Sequence, residues 1–201
     1  MSSIVSDLTA YVIAGGQSRR MGKDKAFLPW GRGTLLTHAV ELASQVTADV
    51  KIVGDPRKFA NATNVIADIY SGCGPLGGIH AALTHSTTPF NLMLAVDIPL
   101  IDPRFLLFMA GLARNSQAMV LVPRSKEGSQ PLCAIYHNDF VEVAEKALSS
   151  GEYKIDPLFA KVEVRAIEAE ELRRAGFSDA MFRNLNTPED WEAVQGHPPA
   201  I

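Results

Sequence analysis

Short runs of apolar, β-favouring residues recur along this chain; each stops at glycine or aspartate and gives way to a stretch with helical spacing. Leu8-Thr9-Ala10-Tyr11-Val12-Ile13 ends at Ala14-Gly15-Gly16, and Thr34 to Val46 then places Leu35, Leu36, Ala39, Val40, Leu42, Ala43 and Val46 on one helix face. Asp49 to Val53 ends at Gly54-Asp55-Pro56. Asn64 to Ala67 leads through a glycine-rich loop, Ser71-Gly72-Cys73-Gly74-Pro75, into a helix over Leu76 to Thr84. Phe90 to Val96, the most apolar run, stops at Asp97-Ile98-Pro99; a helix over Pro103 to Arg114 follows, with Asp102 as its cap, and Ala118 to Val122 is a fifth strand. Strands that alternate with helices require right-handed crossovers, which build a mainly parallel sheet between two helical layers. Runs that are apolar throughout suit strands buried on both faces. The pattern therefore predicts a three-layer α/β sandwich, whose ligands sit outside the carboxyl ends of the strands.

Beyond residue 123 the rhythm changes. Pro131 to Tyr136 reads as a strand, Asp139 to Leu148 as a helix and Lys161 to Ala166 as a strand. A last helix opens at Asn186-Thr187-Pro188, capped by Thr187 or Asn186, and His197 to Ile201 reads as a frayed tail. No repeat or linker interrupts the chain, so one domain over residues 1–201 is expected, with about 8–122 forming its first part and about 123–195 facing a second substrate.

With 19 lysines and arginines against 22 aspartates and glutamates the formal charge is −3, which argues against general affinity for nucleic acid. Cys73 and Cys133 lack metal-site spacing and read as free thiols. The first residues have no signal-peptide pattern and no apolar run approaches the roughly 18 residues of a membrane span, so a cytoplasmic protein without membrane contact is expected.

The loop after the first strand carries the chemistry. Residues 14 to 25 hold Arg19, Arg20, Lys23 and Lys25 against a single carboxylate, Asp24, in an otherwise acidic chain. Paired glycines let backbone N–H groups approach phosphate without a Cβ in the way, so the loop suits a nucleoside triphosphate. It is not a Walker A loop, because five residues separate Gly16 from Gly22 and Asp24 follows Lys23. Nor is it the dinucleotide fingerprint, since Gly15 and Gly16 are adjacent. Asp97 stands at the tip of the most apolar strand, where it could serve as an Asx-turn or hold Mg²⁺ through oxygen; the basic loop beside it favours the metal. Asp68, at the head of the second glycine loop, can accept hydrogen bonds from a base or ribose. The five histidines form no zinc motif and read as exposed or hydrogen-bonded, and Phe105, Phe108 and Met109 read as core.

These motifs resemble those of the molybdenum cofactor guanylyltransferases, within the wider nucleotidyltransferase superfamily. The matching segments are Ala14 to Ala26, Gly74-Pro75-Leu76-Gly77-Gly78, Asp97-Ile98-Pro99, Gln130-Pro131-Leu132 and Asn184-Leu185-Asn186-Thr187-Pro188. The resemblance runs from about residue 8 to 195. It implies a Rossmann-like sandwich of the nucleotide-diphospho-sugar transferase type. It also implies Mg²⁺-dependent transfer of GMP from GTP to the terminal phosphate of molybdenum-molybdopterin, with pyrophosphate released. By similarity Ile13, Ala14, Gly15 and Gly16 border the nucleotide, and Asp68 contacts the nucleoside. Arg20 and Lys25 act on the phosphates, and Asp97 binds both nucleotide and Mg²⁺. Gln130, Pro131, Asn184 and Asn186 would face the acceptor. The implied protein contacts are transient, with cofactor-biosynthesis proteins and apo-molybdoenzymes. One departure stands out: where the family often has an asparagine contact after the second strand, this chain has Gly54-Asp55. The competing readings are a same-fold enzyme using CTP or another phosphate acceptor, and a non-catalytic nucleotide-binding module.

Overall fold

The computed structural model describes residues 6–15, 24–60 and 62–195. Its strands are β1 (Leu8–Ile13), β2 (Pro29–Trp30), β3 (Gly33–Thr34), β4 (Val50–Val53), β5 (Val65–Ile66), β6 (Phe90–Ala95), β7 (Val120–Ser125), β8 (Gly128–Ser129), β9 (Cys133–His137) and β10 (Val164–Ile167). Its α-helices are α1 (Leu35–Ser44), α2 (Gly74–Thr84), α3 (Pro103–Arg114), α4 (Phe140–Ser149), α5 (Ala169–Arg174) and α6 (Pro188–Gln195). The main sheet runs β10-β7-β9-β6-β1-β4-β5, with β8 paired to β7, while β2 and β3 form a separate antiparallel pair. Along that path every neighbouring pair is parallel except those made by β9, which runs against both β6 and β7. The short β7–β8 hairpin, turning at Lys126-Glu127 with Gly128 just after it at φ of +113°, brings the chain round before β9 enters between β7 and β6. The expected α/β sandwich is therefore present, with one reversed strand.

Why the strands are apolar throughout is visible in their alternation. Leu8, Ala10 and Val12 of β1 join a core made with α1, α3 and α6, while Tyr11 and Ile13 join a second core made with α2 and α4. Each large aliphatic side chain buried in this way contributes roughly 1.5–3 kcal/mol. Helix starts are chemically marked. Thr34 and Thr37 cap α1 reciprocally, and the Asp102 carboxylate accepts from the Arg104 N–H at 2.8 Å just before Pro103 opens α3. None of the helices over the described residues is long and apolar enough to cross a membrane.

Three expectations need correction. The strand predicted over Lys161 to Ala166 begins at Val164, because Asp156–Lys161 winds into a 3₁₀ turn opened by Pro157. The strand predicted from Pro131 begins at Cys133, because Pro131 and Leu132 complete a turn. His80 is not exposed, and among the described residues no hydrogen bond to its ring is found. It is 4% exposed where α2 meets α4, and its Nδ1 has no hydrogen-bond partner among the described residues.

Candidate active site

The order of the sheet makes a switch point between β1 and β6: the chain leaves β1 towards β4 and β5 on one side, then returns to lay β6 on the other. Crevices open at the carboxyl ends of such a strand pair. Two clusters of predicted residues gather there.

The first surrounds Gly15. The Ala14 N–H donates to the Val53 carbonyl at 2.9 Å, so β1 stays registered to β4 up to the glycine. A Cβ on Gly15 would lie 3.8 Å from the Asp68 carboxylate and from the Gly54 backbone. One on Gly78, at the start of α2, would lie 3.6 Å from Ile13 and Val53 and 3.8 Å from Asp68 Oδ1. Ile13, Gly15 and Asp68 are thus neighbours around the backbone of Gly15, Gly54 and Gly78, with Ala14 next to Gly15 in the chain. Asp68 is half-buried, its Oδ1 is enclosed without a hydrogen-bond partner among the described residues, and burial pushes its carboxyl pKa up. An unsatisfied acceptor beside glycine backbone at a strand end fits a ligand N–H or O–H.

Gly54 explains the missing asparagine. A Cβ there would meet the Phe59 ring at 2.7 Å, and Phe59 is buried at 3% exposure. Asp55 is committed elsewhere: its carboxylate takes the Arg57 N–H, Nε and Nη2 at 3.0–3.1 Å.

The second cluster is Lys25, Asp97 and Asn186. The Lys25 ammonium donates to Asp97 Oδ2 at 3.0 Å and to Asn186 Oδ1 at 2.7 Å, with the lysine side chain 15% and the aspartate 23% exposed. Local chemistry presents each member. Asp24 caps the 3₁₀ turn Lys25–Phe27 by accepting the Ala26 N–H, and it also binds Lys58 at 2.9 Å. The Leu185 N–H donates to the Asp97 carbonyl at 2.8 Å, which brings the segment before α6 against the end of β6. Asn186 is then set by a cap: the Asp190 carboxylate accepts the N–H groups of Asn186 and Thr187 at 3.1 and 3.0 Å, and Thr187 Oγ1 accepts the Asp190 N–H at 3.1 Å. These bonds, the Asn186 N–H foremost, hold the Asp190 carboxyl below its ordinary pKa. Asp24, Lys58 and Asp190 carry no sequence signal of such work beyond a Thr-x-x-Asp spacing at the last helix.

The remaining predicted residues lie nearby in the fold. Gln130 donates to Ser125 Oγ at 2.9 Å and Pro131 accepts from the Tyr136 hydroxyl at 2.9 Å. The adjacent Leu132 carbonyl takes the Ala95 N–H at 2.8 Å, two residues before Asp97. Asn184 is half-buried beside Leu185. Gly16 and Arg20 lie outside the described residues. Among those described, no three His, Cys, Asp or Glu residues gather into a metal-binding group. A lone strand-tip carboxylate such as Asp97 nevertheless fits Mg²⁺, which keeps waters and takes phosphate oxygens instead of needing a protein cage.

Residues 10–166 match the family model described as a MobA-like NTP transferase domain. The chain is 33% identical over 184 residues to the "Probable molybdenum cofactor guanylyltransferase" of Pelotomaculum thermopropionicum, covering 90% of this chain and 89% of the relative. It is 29% identical over 195 residues to the molybdenum cofactor guanylyltransferase of Syntrophotalea carbinolica, covering 96% and 93%. The fold superimposes on the crystal structure of molybdopterin-guanine dinucleotide biosynthesis protein A from Archaeoglobus fulgidus with a TM-score of 0.82 at 26% identity, covering 94% of this chain and 97% of that one.

Proposed function

The chain belongs to the MobA-like NTP transferase family, and from that premise we propose that it is a molybdenum cofactor guanylyltransferase, moving GMP from GTP to the terminal phosphate of molybdenum-molybdopterin with release of pyrophosphate. The observation that carries this reading is the meeting of Lys25, Asp97 and Asn186 at the carboxyl ends of β1 and β6. A module that only holds nucleotide has no use for a lysine, a carboxylate and an amide locked together across most of the chain.

Each part of the site has work in that reaction. Ile13, Ala14, Gly15 and Gly16 border the nucleoside, and Asp68 accepts from its base or ribose. Lys25, with Arg20 five positions before it in the chain, counters the negative charge of the triphosphate. An acceptor phosphate oxygen attacks the α-phosphorus; the new P–O bond forms as the bond to the β-phosphate oxygen breaks, and pyrophosphate carries away the electron pair. The attacking group is already an anion, so no general base and no enzyme nucleophile is needed. Catalysis rests on alignment and on fixed charge in a site that needs little reorganisation. Mg²⁺ held by Asp97 and phosphate oxygens would supply further neutralisation at the α-phosphate and the leaving group. Asn186, bonded to Lys25, would serve the acceptor together with Asn184, Gln130 and Pro131. On this reading residues 8–122 serve the nucleotide and 123–195 the acceptor, all within one domain. Passing the product to apo-molybdoenzymes, or working beside other biosynthesis proteins, would call for transient contacts only.

The test is pyrophosphate release in the presence of molybdenum-molybdopterin and Mg²⁺, comparing GTP, CTP and ATP. Turnover with GTP is expected. Preference for CTP would move the chain to a sister activity, and no turnover with any of the three would reduce it to a binding module.

A further inference from the structure

His38 lies on the buried stripe of α1, between Leu35, Leu36, Ala39 and Leu42, and is 4% exposed. An imidazole in apolar surroundings is costly unless its nitrogens are satisfied. Its Nε2 is 2.8 Å from the Pro99 carbonyl oxygen. A carbonyl only accepts, so Nε2 carries the proton and donates. Pro99 closes the Asp97-Ile98-Pro99 turn; Ile98 and Pro99 are buried while Asp97 is partly exposed to the cleft. The imidazole therefore grips the inner end of the turn whose outer end bears the carboxylate.

The same ring also packs on the elements that follow the other two site residues in the chain. His38 meets Trp30 with centroids 5.8 Å apart, and Trp30 meets Trp191 at 5.9 Å. Trp30 follows closely after Lys25, and Trp191 sits on the helix that Asn186 introduces. Three rings thus pack in a row, one from α1, one from the strand that follows Lys25 and one from the helix that follows Asn186.

We infer that His38 is a positioning residue for guanylyl transfer, acting through the Pro99 carbonyl to hold the Asp97 carboxylate in the orientation that a phosphate-bound divalent cation requires. The inference rests on the function proposed above. A histidine that merely filled core would change stability and leave cation binding alone.

The test uses His38→Leu and His38→Gln in the whole protein. It measures thermal stability, kcat and KM for GTP, and Mn²⁺ affinity by electron paramagnetic resonance with a non-hydrolysable GTP analogue. His38→Leu is expected to lose about 10-fold in both kcat and Mn²⁺ affinity, with KM for GTP changed by no more than about 2-fold. A glutamine amide at this position can donate to the Pro99 carbonyl, so His38→Gln should recover most of both losses. Native kcat and Mn²⁺ affinity in a folded His38→Leu protein would overturn the inference, as would a His38→Gln protein no better than His38→Leu. If His38→Leu does not fold, the tautomer decides: ¹⁵N spectra of the native protein must place a proton on His38 Nε2, and a proton on Nδ1 alone refutes the contact. A native protein without guanylyl transfer would instead overturn the proposed function, leaving the Mn²⁺ and tautomer measurements to judge His38.

Discussion

Asp68 and Asp97 are both carboxylates just past the end of a parallel strand, yet their surroundings give them opposite characters. Asp97 faces the Lys25 ammonium at 3.0 Å. Asp68 has an enclosed oxygen without a partner among the described residues, and burial raises its pKa. A carboxyl whose pKa rises on folding favours the fold below its unfolded value, about 3.9, and that contribution is lost as pH climbs through the folded value. Asp68 therefore works against the ligand-free fold at neutral pH. Asp68→Asn should raise the melting temperature at pH 7, with the gain vanishing towards pH ~3–4, while GTP binding measured by calorimetry weakens about 10-fold. Unchanged GTP affinity would remove Asp68 from the nucleotide site. For the charged pair, Lys25→Ala and Asp97→Ala should each lower kcat on the order of 100-fold. Because the two groups touch, the double variant should fall well short of the product of the single losses. Full Mg²⁺-dependent turnover in Asp97→Ala would exclude that carboxylate. Both aspartates were legible from the sequence, since a carboxylate or glycine that halts an apolar run marks a strand tip. What Asp97 meets was not: Lys25 lies 72 positions from Asp97 and 161 from Asn186, and spacing says nothing about which distant strand tip meets which loop.

Secondary elements were legible in proportion to their length and burial. β1, β6, α1, α3 and α4 carry continuous or periodic apolar patterns and were readable to within a residue or two. β2, β3, β8 and the 3₁₀ turns are too short to show a period, and α5 has Leu172 as its one fully buried side chain. The direction of β9 was also hidden, because a strand buried on both faces looks the same in either orientation. The last helix shows what a cap can do beyond stabilising a helix. Asp190 ties down the backbone of Asn186 and Thr187, and with it the amide that Lys25 meets. Asp190→Ala should lower kcat about 10-fold with GTP affinity unchanged, as read by steady-state kinetics beside calorimetry. A matching loss of GTP affinity would place Asp190 in the nucleotide half instead.

At the scale of the molecule, the sheet divides the labour. On the proposed function the carboxyl ends of β1, β4, β5 and β6 serve the nucleotide; Gln130, Pro131 and Leu132 border the carboxyl end of β6, and the reversed β9 then runs from there towards its amino end. From there the remaining elements return until Leu185 docks on the Asp97 carbonyl. Composition and charge argue against a nucleic-acid binder or a membrane span, but they could not show that the segment before α6 packs against the end of β6. That closing contact bears on how the enzyme comes into being. A ribosome releases Gly15, Asp68 and Asp97 of the nucleotide cleft well before it releases Asn186. A nascent or clipped chain that already folds its sheet would still lack the Asn186 corner of the Lys25–Asp97–Asn186 cluster, so on the proposed function competence to transfer arrives with this late segment, after the residues proposed to hold GTP.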